Sequence, residues 1–202
     1  IQAANGRPLP VVYRRGGAQY TAELVPVKDE QGDYKAGVWV RDSGAGIGTM
    51  SFIDPAHGTF AGLGHSISDA DTGADLTLLS GEIVPVTITG CIRGAAGSPG
   101  ELRGEFSAAP AGTVLANDTA GVYGQYSGSQ TGHSMPVANL QEVIPGDAEL
   151  WTTVQGTTAQ PYKVKIERVT MTGNDPNRNL LIRVTDARLL EATGGIVQGM
   201  SG

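Results

Sequence analysis

Tyr162-Lys163-Val164-Lys165-Ile166-Glu167-Arg168-Val169 alternates apolar with charged side chains. Successive side chains of a strand point to opposite faces, so the stretch predicts a strand with one face buried and the other in water. Outward from it the texture recurs. Short apolar runs at 102–106, 113–116, 136–144, 149–154, 162–171 and 180–184 are each bounded by Gly, Pro, Asn or Asp. Residues 34–41 and 47–53 are β-branched and aromatic runs separated by Asp42-Ser43-Gly44-Ala45-Gly46. A further strand is expected at 82–92, where Pro85 marks an edge or a bulge. At the start, 9–15 and 20–27 flank Arg15-Gly16-Gly17-Ala18, a hairpin signal with glycine where positive φ is wanted. Only 186–193 reads as helical. Many short strands and almost no helix predict an all-β sandwich or barrel.

A length of 202 residues admits one ample domain, or one domain with an attachment. Net charge is −6, with a pI near 5.0 and no long basic run, which argues against nucleic acid or an anionic membrane surface as partner. The single cysteine, Cys91, cannot form an internal disulfide, and its apolar surroundings predict a buried, inert thiol. No apolar stretch approaches a membrane span and no signal peptide is visible. Because the chain opens on Ile1 and stops one residue after Ser201, a segment of a longer protein is expected.

The chemistry is sought at Gly194-Gly195-Ile196-Val197-Gln198-Gly199-Met200-Ser201-Gly202. A serine in Gly-x-Ser-Gly suits a nucleophile on a tight turn, since glycine admits φ > 0 and close approach of backbone to substrate. The Ser201 and Gly199 N–H groups could then converge on the oxyanion of an acyl-transfer intermediate. An ordinary Gly/Ser turn is the bland alternative, so a base and an acid must be found elsewhere. Of three histidines, His57 lies in the turn Asp54-Pro55-Ala56-His57-Gly58 and His133 in a polar loop at 128–134, both suited to solvated surface roles. His65 follows Ala61-Gly62-Leu63-Gly64 at the end of an apolar run, as a catalytic base or as a structural histidine. Asp186 ends the run Leu180-Leu181-Ile182-Arg183-Val184-Thr185, where it could orient a base or cap the short helix. Asp69, Asp71 and Asp75 read as a solvated acidic turn, because the EF-hand glycine and terminal glutamate are missing. No His-x-x-x-His spacing supports a metal-dependent hydrolase. The order His65, Asp186, Ser201 is that of the chymotrypsin class, and it agrees with an all-β chain.

Four separated stretches carry a resemblance: Gly44-Ala45-Gly46-Ile47-Gly48-Thr49, Ala61-Gly62-Leu63-Gly64-His65-Ser66-Ile67-Ser68-Asp69, Gly97-Ser98-Pro99-Gly100-Glu101 and residues 193–202. In this order they strongly resemble the peptidase domain of the stage IV sporulation protein B (SpoIVB) family of serine peptidases, from about residue 38 to the end. The resemblance implies a trypsin-like double β-barrel with His65 as general base, Asp186 orienting it and Ser201 as nucleophile. It implies no cofactor and no metal. It also implies a sporulation signalling cascade in which the protein cuts itself and a regulator of a membrane protease, outside the cytoplasm in the space between forespore and mother-cell membranes. In that family a membrane anchor and a PDZ domain precede the peptidase domain, so membrane association would come through N-terminal parts. Residues 1–33, a lead-in hairpin, look like the tail of such a PDZ domain, or equally a lead-in of the peptidase fold, and 34–202 correspond to the peptidase domain. Family members continue past Met-Ser-Gly with further strands, so the second barrel is expected to be incomplete at the C-terminus. The rival expectation is a non-catalytic β module that binds a peptide or protein partner by strand addition.

Overall fold

The computed structural model describes residues 1–38, 44–69, 71–129, 134–170 and 179–202. His133, residues 39–41 of one expected strand and residue 171 of another lie outside the described residues. The chain is all-β, with 46% of the described residues in strands and 7% in helix. It divides into two compact units, Ile1–Ala45 and Gly46–Gly202. Among the described residues no helix is long and apolar enough to cross a membrane.

In the first unit β1 (Leu9–Arg15) and β2 (Ala18–Leu24) form the expected hairpin, pairing from Leu9 with Leu24 to Arg15 with Ala18. Gly16 and Gly17, at φ 57° and 79°, make the two-residue turn whose twist matches that of paired strands. Tyr13 stacks on Tyr20 with ring centroids 5.4 Å apart, a cross-strand pair on a largely exposed ribbon. A shorter ladder follows between β3 (Val27–Lys28) and β4 (Tyr34–Lys35), closed by Asp29, whose carboxylate accepts from the Gln31 and Asp33 amides.

The second unit contains a five-stranded antiparallel sheet in the order β5-β6-β11-β10-β7: β5 is Met50–Asp54, β6 Thr59–Gly62, β7 Gly81–Ile83, β10 Gly112–Asp118 and β11 Gly121–Tyr126. A two-stranded ribbon pairs β8 (Val86–Ile92) with β9 (Glu101–Phe106), and a three-stranded sheet runs β12 (Gly146–Thr152), β13 (Gln160–Val169), β14 (Leu180–Val184). None of the sheets closes among the described residues, which agrees with a trypsin-like fold whose second barrel is incomplete. One helix, α1 (Ala187–Thr193), packs where β8, β9 and β13 meet. Its Leu189, with no exposed surface, joins Ile88, Leu102, Tyr162, Val197 and Met200 in the core.

The alternating stretch lies in β13 with Tyr162 and Val164 buried and Lys163 and Lys165 exposed. Its two successive charges, Glu167-Arg168, coincide with a bulge: Ile166 pairs with Ile182 and Arg168 already with Leu181. The extra residue turns Val169 back to a half-buried position. Pro85 divides the expected strand 82–92 between two sheets, its carbonyl accepting from the Ser107 amide. Residues 136–144, apolar in sequence, contain a single 3₁₀ turn, Leu140–Glu142, and no strand. Strand β14 is an edge among the described residues, and Leu180, Leu181 and Ile182 are 44%, 49% and 45% exposed.

Strand β11, Gly-Val-Tyr-Gly-Gln-Tyr, is central to the five-stranded sheet yet gives little sequence signal, because its glycines weaken strand propensity. Gly124 is there for room. A Cβ at this position would lie 1.9 Å from the Thr113 carbonyl oxygen and 2.7 Å from Cε1 of the buried Phe60. Backbone and a core ring cannot both yield, so Gly124→Ala should destabilise the protein by about 1–3 kcal/mol, measured as a lower Tm in thermal unfolding.

Candidate functional site

Helix α1 begins at Asp186, whose extended backbone (φ −75°, ψ 117°) and side chain cap it by accepting from the Arg188 amide at 2.9 Å. It ends at Gly194 in the left-handed region, whose amide donates to the Leu190 carbonyl. Buried Leu189 and Thr193 fix the helix face, and the Thr193 hydroxyl donates to the Leu189 carbonyl at 2.8 Å. The chain then returns along β9. Gln198 N–H donates to the Gly100 carbonyl and its own carbonyl accepts from Leu102 N–H, each at 2.9 Å. Burial of Val197 and Met200 on either side of this bridge brings the Gly-Met-Ser-Gly turn against the core.

At the turn Gly199 adopts φ 97°, which an L side chain rarely tolerates, and a Cβ there would press on Ile47 and Leu102 at 3.2 Å. The Gly199 and Ser201 N–H groups have no hydrogen-bond partner among the described residues, nor has the half-buried Ser201 hydroxyl. The carbonyls of the same two residues are taken by one side chain and one amide of Thr49. Thr49 Oγ1 donates to the Gly199 carbonyl at 3.0 Å and Thr49 N–H to the Ser201 carbonyl at 2.9 Å.

His65 is reached from the other side of Thr49. The Thr49 carbonyl accepts from Leu63 N–H at 3.0 Å, and Gly64 N–H turns back to the Gly62 carbonyl at 2.9 Å. Leu63 sits at φ 70°, costly for a residue with a Cβ. Beyond His65, Asn117 of β10 clamps Ile67, accepting from its amide at 2.7 Å and donating to its carbonyl at 3.0 Å. His65 itself is exposed, with Nδ1 2.8 Å from the Ser66 carbonyl. A carbonyl only accepts, so Nδ1 carries the proton and Nε2 is left as the basic nitrogen.

Asp186 is held elsewhere. It is 7% exposed, and its two oxygens receive four bonds: from the Arg188 amide, from Arg188 Nε at 3.1 Å and a terminal guanidinium nitrogen at 2.9 Å, and from Lys163 N–H at 3.2 Å. A carboxylate offers about four acceptor directions, so this one is saturated. The Arg188 fork also donates to the Pro161 carbonyl and lies 5.0 Å over the Tyr162 ring. The guanidinium pulls the Asp186 carboxyl well below the usual carboxylate range, against the opposing effect of burial. No hydrogen bond joins Asp186, His65 and Ser201 to one another. Thr49 connects the serine turn with the histidine loop, while Asp186 is tied to Arg188, which lies over the Tyr162 ring of the core.

Other titratable groups fit quieter roles. His57 pairs with Asp54 at 2.6 Å in an exposed turn. In the acidic turn Asp69 accepts from the Asp71 and Thr72 amides, and Asp75 accepts from the Ser66 and Ser68 hydroxyls. Among the described residues no group of three His, Cys, Asp or Glu could hold a metal ion. Cys91 is half-buried against the core, and burial pushes its thiol up, away from the reactive thiolate. Thr49, Asn117 and Arg188 are the site residues that sequence reasoning passes over. For Arg188 a signal exists, since an arginine two residues after a capping aspartate can fold back onto it.

In comparison with known proteins, the family described as SpoIVB peptidase S55 matches residues 32–202. No curated protein and no solved structure matches the chain.

The Asp186–Arg188 pair generates a pH dependence. With its folded pKa depressed, Asp186 contributes stability above its ordinary pKa of 3.8 and loses it as pH falls through the folded value. Asp186→Asn should therefore lower Tm at neutral pH, and its deficit against the wild type should shrink below about pH 3.8 in a pH series of thermal melts.

Proposed function

The chain belongs to the SpoIVB peptidase S55 family, and from that membership we propose that it is the peptidase segment of a serine endopeptidase of narrow specificity. In this reading Ser201 is the nucleophile, His65 the general base and Asp186 the acid that orients it, with the Gly199 and Ser201 N–H groups as oxyanion donors. The observation that carries it is the turn at Ser201. A hydroxyl and two amides there are left without partners, at a glycine with φ 97°, while the neighbouring carbonyls are tied down by Thr49. An oxyanion hole needs amides already aimed at the place where charge develops, so that none has to reorganise during the reaction.

The chemistry follows from the roles. Ser201 Oγ attacks the peptide carbonyl carbon as His65 Nε2 takes its proton, and the oxyanion is met by the two amides. His65 then gives that proton to the leaving amine, and water, activated by the same nitrogen, hydrolyses the acyl-enzyme. For Asp186 to accept from His65 Nδ1, the Arg188 fork must release one of its oxygens, and the imidazole must exchange the Ser66 carbonyl for the carboxylate. We further propose that the protein acts in a sporulation signalling cascade outside the cytoplasm. Its substrates would be itself and a protein regulator of a membrane protease. Residues 1–33 would be the tail of a preceding PDZ domain.

The saturated Asp186 carboxylate favours one second reading, a non-catalytic β module in which Asp186 is only a helix cap. A fluorophosphonate probe separates the two, since it reacts quickly only with an activated serine. Rapid labelling lost in Ser201→Ala is expected, with a fall of about 10⁴- to 10⁶-fold in peptide-cleavage kcat. Unchanged cleavage in Ser201→Ala would end the serine reading. Asp186→Asn should lower kcat by about 10⁴-fold, and an effect of that variant on Tm alone would leave Asp186 as a cap.

A further inference from the structure

We propose that Thr49 is a positioning residue that holds the nucleophile turn and the histidine loop in one register, acting through the Gly199–Met200 and Ser201–Gly202 peptide units on one side and Leu63 on the other. The inference rests on the serine reading above and adds a residue that it does not require.

Three bonds carry it. The Thr49 hydroxyl fixes the Gly199 carbonyl and its amide fixes the Ser201 carbonyl, so the peptide planes before Met200 and after Ser201 are both held by a single residue. Between those planes lies the Ser201 N–H, unpartnered and free to receive charge. Were the Gly199 carbonyl released, its glycine could rotate at little cost, since no Cβ restrains it, and the adjoining amides would no longer be held in one orientation. On the opposite side the Thr49 carbonyl holds Leu63 N–H in a turn where Leu63 and Gly64 both have positive φ, two residues before the general base. A backbone so strained persists only when its surroundings over-determine it. Here they do: a Cβ on the preceding Gly48 would lie 2.2 Å from the Leu63 side chain, which therefore packs directly on the Gly48 backbone. Gly202 is packed as closely, a Cβ there falling 2.6 Å from both the Thr49 side chain and its carbonyl oxygen. Thr49 is half-buried, and its hydroxyl bond to Gly199 is part-buried.

The three bonds differ in what a substitution can remove. The two backbone bonds survive any replacement except proline, whereas the hydroxyl bond to Gly199 is lost in Thr49→Val, which keeps the shape of the side chain. Thr49→Ser keeps the hydroxyl and loses the methyl. The test is fluorophosphonate labelling of the intact protein with Thr49, Thr49→Val, Thr49→Ala, Thr49→Ser and, as a control, Ser201→Ala, with Tm measured for each. Labelling should follow the hydroxyl. The saturating rate is expected to fall about tenfold in Thr49→Val and Thr49→Ala with little change in half-saturating probe concentration, and to return to within about twofold in Thr49→Ser. Wild-type labelling in folded Thr49→Val, an equal loss in Thr49→Ser, or failure of both hydroxyl-free variants to fold would overturn the proposal. The last outcome would make the bond a prop of the fold. If the wild type does not label, or Ser201→Ala labels as well as it does, the serine reading itself fails, which is distinct from loss of the Thr49 role.

Discussion

The second unit depends on the burial of one short helix face together with the segment that follows it. Leu189 has no exposed surface, and Val197 and Met200 pack into the same cluster from beyond the helix end. Each such side chain contributes about 1.5–3 kcal/mol when withdrawn from water, enough to hold an otherwise irregular stretch in place. Because Val197 and Met200 straddle Gly199, the core fixes the turn from inside, and the ladder from Gln198 to Gly100 and Leu102 fixes it along β9. The serine is thus presented by packing, and the turn needs no secondary structure of its own.

Much of this fold is legible in the residues. Alternation at 162–166 and the Gly16-Gly17 turn specify β13 and the first hairpin because each obeys a local rule that the tertiary structure reinforces. Where the local signal fails, a neighbour decides. Strand β11 contains Gly124 because Thr113 and Phe60 leave no space for a side chain, a fact that belongs to the sheet and not to the strand. The run at 136–144 has strand-like composition, but its 3₁₀ turn is set by the Glu142 carboxylate accepting from Asn139 N–H at 2.6 Å.

The site divides the same way. The glycines around Ser201 announce a tight turn, and the run before Asp186 announces a carboxylate at a strand end followed by a helix. What sequence leaves open is which neighbours those groups choose. A carboxylate at a helix start can face a histidine or an arginine, and Arg188, two positions on, reaches it from both its backbone and its fork. Thr49 is silent in sequence for another reason: the partners of its hydroxyl and amide lie about 150 residues away, and a threonine after Gly-Ile-Gly has no local feature that predicts them.

The open edge at β14 bears on how the protein behaves in bulk. Three adjacent apolar side chains, half in water, border a row of main-chain donors and acceptors without a second strand among the described residues. Such an edge invites a second copy to extend the sheet, and the opposing influence is the repulsion between molecules each carrying six net negative charges. Salt screens that repulsion, so the charge that opposes edge pairing weakens as ionic strength rises.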